Sequence, residues 1–178
     1  MKLYICFFGI FFWFCKVGYA HQNSQEKKDK IESFFKEMVL VMNSQSKDGI
    51  KHFFNFYSDK DAIFIYHSIL INNNSKKNPS QELKMNVNEY IKYLTYISTT
   101  PISYHYDLNV SSWKYIKKSD SYIYSIHINE VYITSIKDKK NQYFKIKAKV
   151  STNCNYSFNS NPLPQISGVN CFEKIAIE

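Results

Sequence analysis

The chain has 178 residues, 44% of them hydrophobic, which is enough to fill one core and too little for several domains of ordinary size. The formal charge is +8, yet all 23 basic residues are lysine, so no planar five-donor fork exists for phosphate or guanine edges and sequence-specific nucleic-acid binding is disfavoured. The lysines are scattered, with small clusters at Lys76-Lys77, Lys117-Lys118 and Lys137 to Lys140 beside expected turns, the pattern of a solvated surface.

Met1 to Ala20 carries Lys2, an apolar run from Leu3 to Cys15, and Gly18-Tyr19-Ala20 ahead of a polar segment. Small residues at the −3 and −1 positions make this a secretory signal peptide cleaved after Ala20, leaving 21–178 as a single exported domain. The apolar run is about thirteen residues, short of the roughly twenty a bilayer span requires, so a membrane is met only if the segment stays uncleaved. Cleavage removes Cys6 and Cys15. The remaining Cys154 and Cys171 are expected to form a disulfide, two buried or free thiols being the alternative; the loop closed would stabilise by about 3 kcal/mol. No CxxC or paired-His spacing surrounds them, so neither a metal nor another cofactor is expected.

His21 to Lys30 is polar and leads into a helix whose apolar residues Ile31, Phe34, Phe35, Met38 and Met42 line one side of a 3.6-residue period. Ile50, Phe53, Phe54 and Tyr57 repeat the spacing in a second helix, with Ser44 or Ser46 as N-cap. The turn Asp59-Lys60-Asp61 precedes a strand from Ala62 to Ile71 that carries bulk on both faces. Asn72 to Gln81 is polar and reads as a mobile loop. Asn86-Val87-Asn88-Glu89 has the form of a capping box and opens a helix with the stripe Val87, Tyr90, Ile91, Leu94 and Ile97, closed by Thr99-Thr100-Pro101.

From Ile102 the period changes to two. Tyr104, Tyr106, Leu108 and Val110 alternate with polar residues; Tyr122 to Ile136 forms a second strand, and Phe144 to Val150 a third, giving an antiparallel meander. The pattern of the second strand slips at Asn129-Glu130, where a bulge would switch the buried side. The tail from Thr152 reads as loop-rich, with Phe172 to Ile177 as an edge strand.

Helix, helix, strand, helix, then three long antiparallel strands resembles the nuclear transport factor 2-like superfamily, which includes ketosteroid isomerase, scytalone dehydratase, polyketide cyclases and many non-catalytic modules. The local text IESFFKEMVLVMNSQSKDGIKHFFNFYSDKDAIFIYHS is similar to the first helices and strand of many members. The resemblance covers about residues 25 to 153. It implies an α+β fold with the N-terminal helices packed in the concave face of a curved, mainly antiparallel sheet, and a cone-like pocket lined here by Phe34, Met38, Phe53, Tyr90, Leu94 and Phe144.

Enzymes of that shape place a carboxylate or histidine base in an apolar pocket beside tyrosine hydroxyls, because burial shifts the relevant pKa values. The residues available are His67 on the first strand, His105 and Asp107 on the next, and His127 with Glu130 on the second meander strand. His105 and Asp107 fall on the polar face. His67 falls among Ile63, Ile65, Ile69 and Ile71, and the spacing of Tyr90, Tyr93 and Tyr96 suits either packing or a ligand-binding row. His67, His127 and Asp107 are the catalytic candidates, although no catalytic motif of a known member maps onto them. Sequons occur at Asn73, Asn109 and Asn155. The sequence therefore reads foremost as a non-catalytic binding or assembly module, its partner another protein, a small hydrophobic ligand, or a second copy through the sheet. A lyase or isomerase acting by proton abstraction in the pocket is the alternative.

Overall fold

The structure, a computed structural model, describes residues 25–71, 81–137, 142–159 and 165–177. The expected signal peptide and cleavage site, the loop after Ile71 with its sequon at Asn73, and the tip of the turn at 138–141 lie outside these residues. The chain divides into two compact units, Met1–Phe34 and Phe35–Glu178.

Residues 25–34 of the first unit are helical and belong to a helix, α1, over 25–43. Lys28 pairs with Glu32 and Lys30 with Glu26, both at i,i+4 on the polar side, while Ile31 and Phe34 are buried. The remainder of α1 starts the second unit, where Phe35, Met38 and Met42 are buried. Gln45, at φ 53°, is in the left-handed region that ends the helix.

Helix α2, Lys47–Tyr57, is capped by Ser46, whose Oγ accepts from the Gly49 N–H at 3.1 Å, and it buries Ile50, Phe53 and Phe54. Helix α3, Val87–Thr99, opens with the full capping box. Asn86 Oδ1 accepts from the Glu89 N–H at 3.0 Å, and Glu89 Oε2 accepts from the Asn86 N–H at 2.9 Å.

Six strands follow the order β2-β1-β6-β5-β4-β3. They are β1 Ser58–Ile71, β2 Gln81–Met85, β3 Ser103–Ile116, β4 Ser121–Lys137, β5 Tyr143–Asn159 and β6 Gln165–Ile177. All neighbours pair antiparallel except β1 and β6, which are parallel. The curved sheet and the helices give the α+β class expected, and the β3–β4–β5 meander is as read.

Three local expectations need correction, and one strand was not read. The turn at Asp59-Lys60-Asp61 is strand, because β1 already begins at Ser58. The short edge strand β2 has four exposed residues, so it carried no alternation to detect. No bulge occurs at Asn129-Glu130: β4 pairs with β5 without interruption, and the shift lies instead on β3 between Val110 and Ser112. The tail is not loop-rich. β5 runs to Asn159, and β6 is a central strand between β1 and β5; Thr152, Cys154, Tyr156 and Phe158 point inward while asparagine and serine occupy the outer positions and disguise the period.

Two covalent or side-chain devices fix this sheet. Cys154 and Cys171, directly opposed on β5 and β6, form a disulfide. At the free edge of β3, the Asn43 amide at the end of α1 pairs with the backbone of Tyr106: Nδ2 donates to the carbonyl at 2.7 Å and Oδ1 accepts from the N–H at 2.8 Å. One side chain thus occupies both hydrogen-bonding groups of an edge residue, which otherwise would template another strand. Replacing it by Asn43→Leu is expected to lower stability in urea unfolding by about 2 kcal/mol through the stranded pair at Tyr106, and to raise self-association at high concentration.

Candidate functional site

The inner face of the sheet is aromatic and closely filled. Phe64 on β1 stacks on Tyr90 of α3 with ring centroids 3.9 Å apart, and Phe54 meets the same ring edge-on at 5.3 Å. The Tyr90 hydroxyl lies 3.1 Å from that of Tyr66 and 3.2 Å from that of Tyr156, and the last donates to Met38 Sδ at 3.8 Å. This chain of hydroxyls satisfies three buried polar groups and links α1, α3, β1 and β5. Between α3 and the sheet remains a cavity of about 10 Å³, room for a single water.

Beside that cavity, two carboxyl groups are buried. Glu130 on β4, 7% exposed, accepts from the Tyr104 hydroxyl at 2.8 Å. Glu173 on β6, 5% exposed, accepts from Ser68 Oγ at 2.6 Å and from the Tyr93 hydroxyl at 3.5 Å. Burial pushes the Glu130 carboxyl up to about 7, the Tyr104 hydrogen bond opposes the rise, and the nearby Glu173 charge adds to it. Glu173 is raised by burial too, against the hydrogen bonds from Ser68 and Tyr93. In turn burial, then the Glu130 charge, holds the Tyr104 phenol well above its ordinary value. Thr152, cross-strand from Glu173, is buried, and among the described residues its Oγ1 has no hydrogen-bond partner.

The residues nominated from sequence lie elsewhere. His67 is on the outer face, because Ala62, Phe64 and Tyr66 take the inward positions of β1; its ring stacks on Phe172 at 4.7 Å, and Nδ1 lies 3.7 Å from Glu82. His127 is also on the outer face, between Asn153 at 2.9 Å and Asn129 at 3.1 Å. Asp107 is exposed, as its alternation implied. Of the pocket residues, Met38, Tyr90 and Leu94 line the small cavity, Phe34 is buried, and Phe53 is buried against Phe54 and Tyr57. Phe144 does not join them: it is 48% exposed near the start of β5, opposite the equally exposed Ile136.

The outer face of the sheet carries a shallow groove of about 620 Å³. Its floor is two parallel rows across five strands. One runs Ile65, Asn170, Asn155, Ser125, Ser112; the other runs Ile63, Gly168, Ser157, Ile123, Lys114. Lys114 is the one charged residue in the lining.

No family model matches the chain, and no curated protein does. Solved structures do. A scytalone dehydratase homologue from Novosphingobium aromaticivorans aligns over 89% of this chain and 88% of its own, with a TM-score of 0.56 and 6% identity. A domain of unknown function with a cystatin-like fold from Nostoc punctiforme aligns over 84% and 76%, with a TM-score of 0.53 and 14% identity. The beta subunit of an aromatic-ring-hydroxylating dioxygenase, also from Novosphingobium aromaticivorans, aligns over 85% and 91%, with a TM-score of 0.50 and 9% identity. The chain has the nuclear transport factor 2-like fold.

Identity this low transfers the architecture and no reaction. Within this nuclear transport factor 2-like interior, the groups with acid–base character are Glu130 and Glu173; the sequence offered Glu130 beside His127 as an available residue and as the break in β4's apolar pattern, but not among the catalytic candidates. An uninterrupted inward series Tyr122, Tyr124, Ile126, Ile128, Glu130 was the available signal, since a two-residue period run through the break places the carboxyl inside. A carboxyl near 7 beside a phenol can exchange a proton at neutral pH, and the cavity beside it among the described residues has room for one water.

Because folded Glu130 keeps its proton to higher pH than the unfolded chain does, its contribution to stability is complete below the ordinary carboxylate value of 4.5 and is lost as pH rises to about 7. The loss is about 3 kcal/mol at most, and Glu173 acts in the same direction. Urea unfolding between pH 4.5 and 8 is expected to show this decline in the native chain and a shallower one in Glu130→Gln.

Proposed function

We propose that this chain is a non-catalytic binding module, exported to an oxidising compartment, that engages its partner through the groove on the outer face of the sheet. The observation that carries this reading is the contrast between the two faces. Among the described residues the inner one holds a cavity of about 10 Å³, while the outer one offers an open groove of about 620 Å³. Charge depletion supports it as well. In a chain with 21% charged residues, a solvated strip of five strands with a single lysine is what an interface core resembles.

The Cys154–Cys171 disulfide and the apolar leader of the sequence support that compartment. Among the described residues no helix is long and apolar enough to cross a membrane. Self-association through the same outer face is compatible with the reading, since two chains of like charge would meet over nearly uncharged surface.

A lyase or isomerase using Glu130 as base and Tyr104 as hydroxyl donor is the competing reading, favoured by the 2.8 Å contact between them. It requires α3 to lift from the sheet and admit a substrate.

Mapping a library of small carbonyl-bearing and apolar fragments by amide chemical shifts separates the two. Shifts are expected at Ser112, Ser125, Asn155 and Asn170, and not at Tyr66, Tyr90, Leu94 or Ile128. Perturbation of that second group instead would transfer the site to Glu130. The compartment has its own measurement: Cys154→Ala/Cys171→Ala is expected to lose about 3 kcal/mol in urea unfolding, as does the native chain under reductant.

A further inference from the structure

The occupant of the outer groove can be narrowed by its donors and acceptors. This step rests on the binding reading above. Asn155 Oδ1 accepts from Ser125 Oγ at 2.8 Å, and its exposed amide nitrogen can donate two further hydrogen bonds. Asn170, directly across from Asn155 and exposed, has no side-chain partner among the described residues. The Ser112 and Ser157 hydroxyls likewise meet no side chain or backbone partner among those residues, and each can donate or accept.

An apolar component accompanies these groups. Ile63 and Ile65 form one end of the floor, and Phe172, two residues beyond Asn170 on the same face of β6, stands just outside the lining and is 55% exposed. The His67 ring stacks against one side of Phe172 at 4.7 Å with an interplanar angle of 13°, so the phenyl ring is held in place. Five strands at their usual spacing make the floor about 19 Å long.

We propose that this groove binds a neutral oligosaccharide, laid across the strands with its hydroxyls on Asn155, Asn170 and Ser157 and one sugar ring on Phe172. A sugar presents closely spaced hydroxyls, each both donor and acceptor, around an apolar ring face. The amide, hydroxyl and phenyl groups answer that chemistry one for one. Within the lining an anionic ligand would find only Lys114 and a cationic one no carboxylate, and beside Phe172 the ionisable groups are His67 and, 3.7 Å from it, Glu82. An aliphatic ligand would leave the amides of Asn155 and Asn170 without partners, which costs about as much as a lost hydrogen bond each.

The test is titration of the ¹⁵N-labelled protein with cellohexaose, chitohexaose and mannohexaose, alongside a heparin-derived hexasaccharide. At least one neutral hexasaccharide is expected to bind with a Kd of millimolar or tighter and to move the amides of Ser112, Asn155, Asn170 and Phe172. Asn155→Ala/Asn170→Ala and Phe172→Ala should each weaken that binding at least tenfold while leaving the far-UV circular dichroism unchanged; these side chains are exposed, so the fold does not depend on them. No shift with any neutral sugar, shifts confined to other faces, or binding of the heparin fragment alone would overturn the assignment. Should the fragment library still map to the outer face in that event, the groove serves another class of ligand and the binding-module reading stands. Fragments and sugars both failing there removes both.

Discussion

Everything in the interior turns on Tyr90. Its ring lies flat on Phe64 and takes Phe54 edge-on, and its hydroxyl reaches those of Tyr66 and Tyr156. One residue therefore clamps α3 onto β1 and β5, with apolar burial and polar satisfaction supplied by the same side chain. The clamp is also why the concave side is closed. A tyrosine whose hydroxyl must find a partner in a dry site brings further tyrosines with it, and five large rings, its own included, fill the space. Phenol groups this deeply buried are held far above their ordinary pKa, so at neutral pH they act as hydrogen-bonding links rather than as acids.

The buried carboxyl pair gives the interior a different character at its other end. Glu130 and Glu173 enter from β4 and β6, two strands separated only by β5, and each is met by hydroxyl donors: Tyr104 for the first, Ser68 and Tyr93 for the second. Hydroxyls can bond a protonated acid or a carboxylate, whereas a lysine partner would hold the carboxylate form. The arrangement tolerates a change of protonation state without losing its hydrogen bonds, and burial then decides which state prevails. The sheet's two faces are thus chemically opposite: acids and phenols inside, amides and hydroxyls outside.

Much of this order was legible in the sequence where a single period governed a segment. The stripes of α1, α2 and α3 and the capping box at Asn86 and Glu89 were read directly, because local spacing and local hydrogen bonds set them. The meander was legible for the same reason. What escaped depended on partners distant in the chain. β6 sits between β1 and β5, a parallel pairing that no local text announces, and β5's second half hides its inward series behind Asn153, Asn155 and Ser157. Glu130 was misread because a charge in an apolar series looks like a change of face; its burial is permitted by Tyr104, twenty-six residues earlier. His67 was misjudged because Ile63 and Ile65 made the outer face of β1 look like core, when those residues floor a groove open to solvent. Phe144 followed the alternation of β5 but lies beyond the reach of the helices that cover the rest.

The central place of β6 sets the order in which the chain can mature. Until residues 165–177 have been synthesised, β1 can pair only with the short β2, and the meander β3–β4–β5 ends in an open margin at β5. β6 is the strand that joins the two halves, and it also brings Cys171 to Cys154. Neither half of the sheet is therefore closed before β6 is in place.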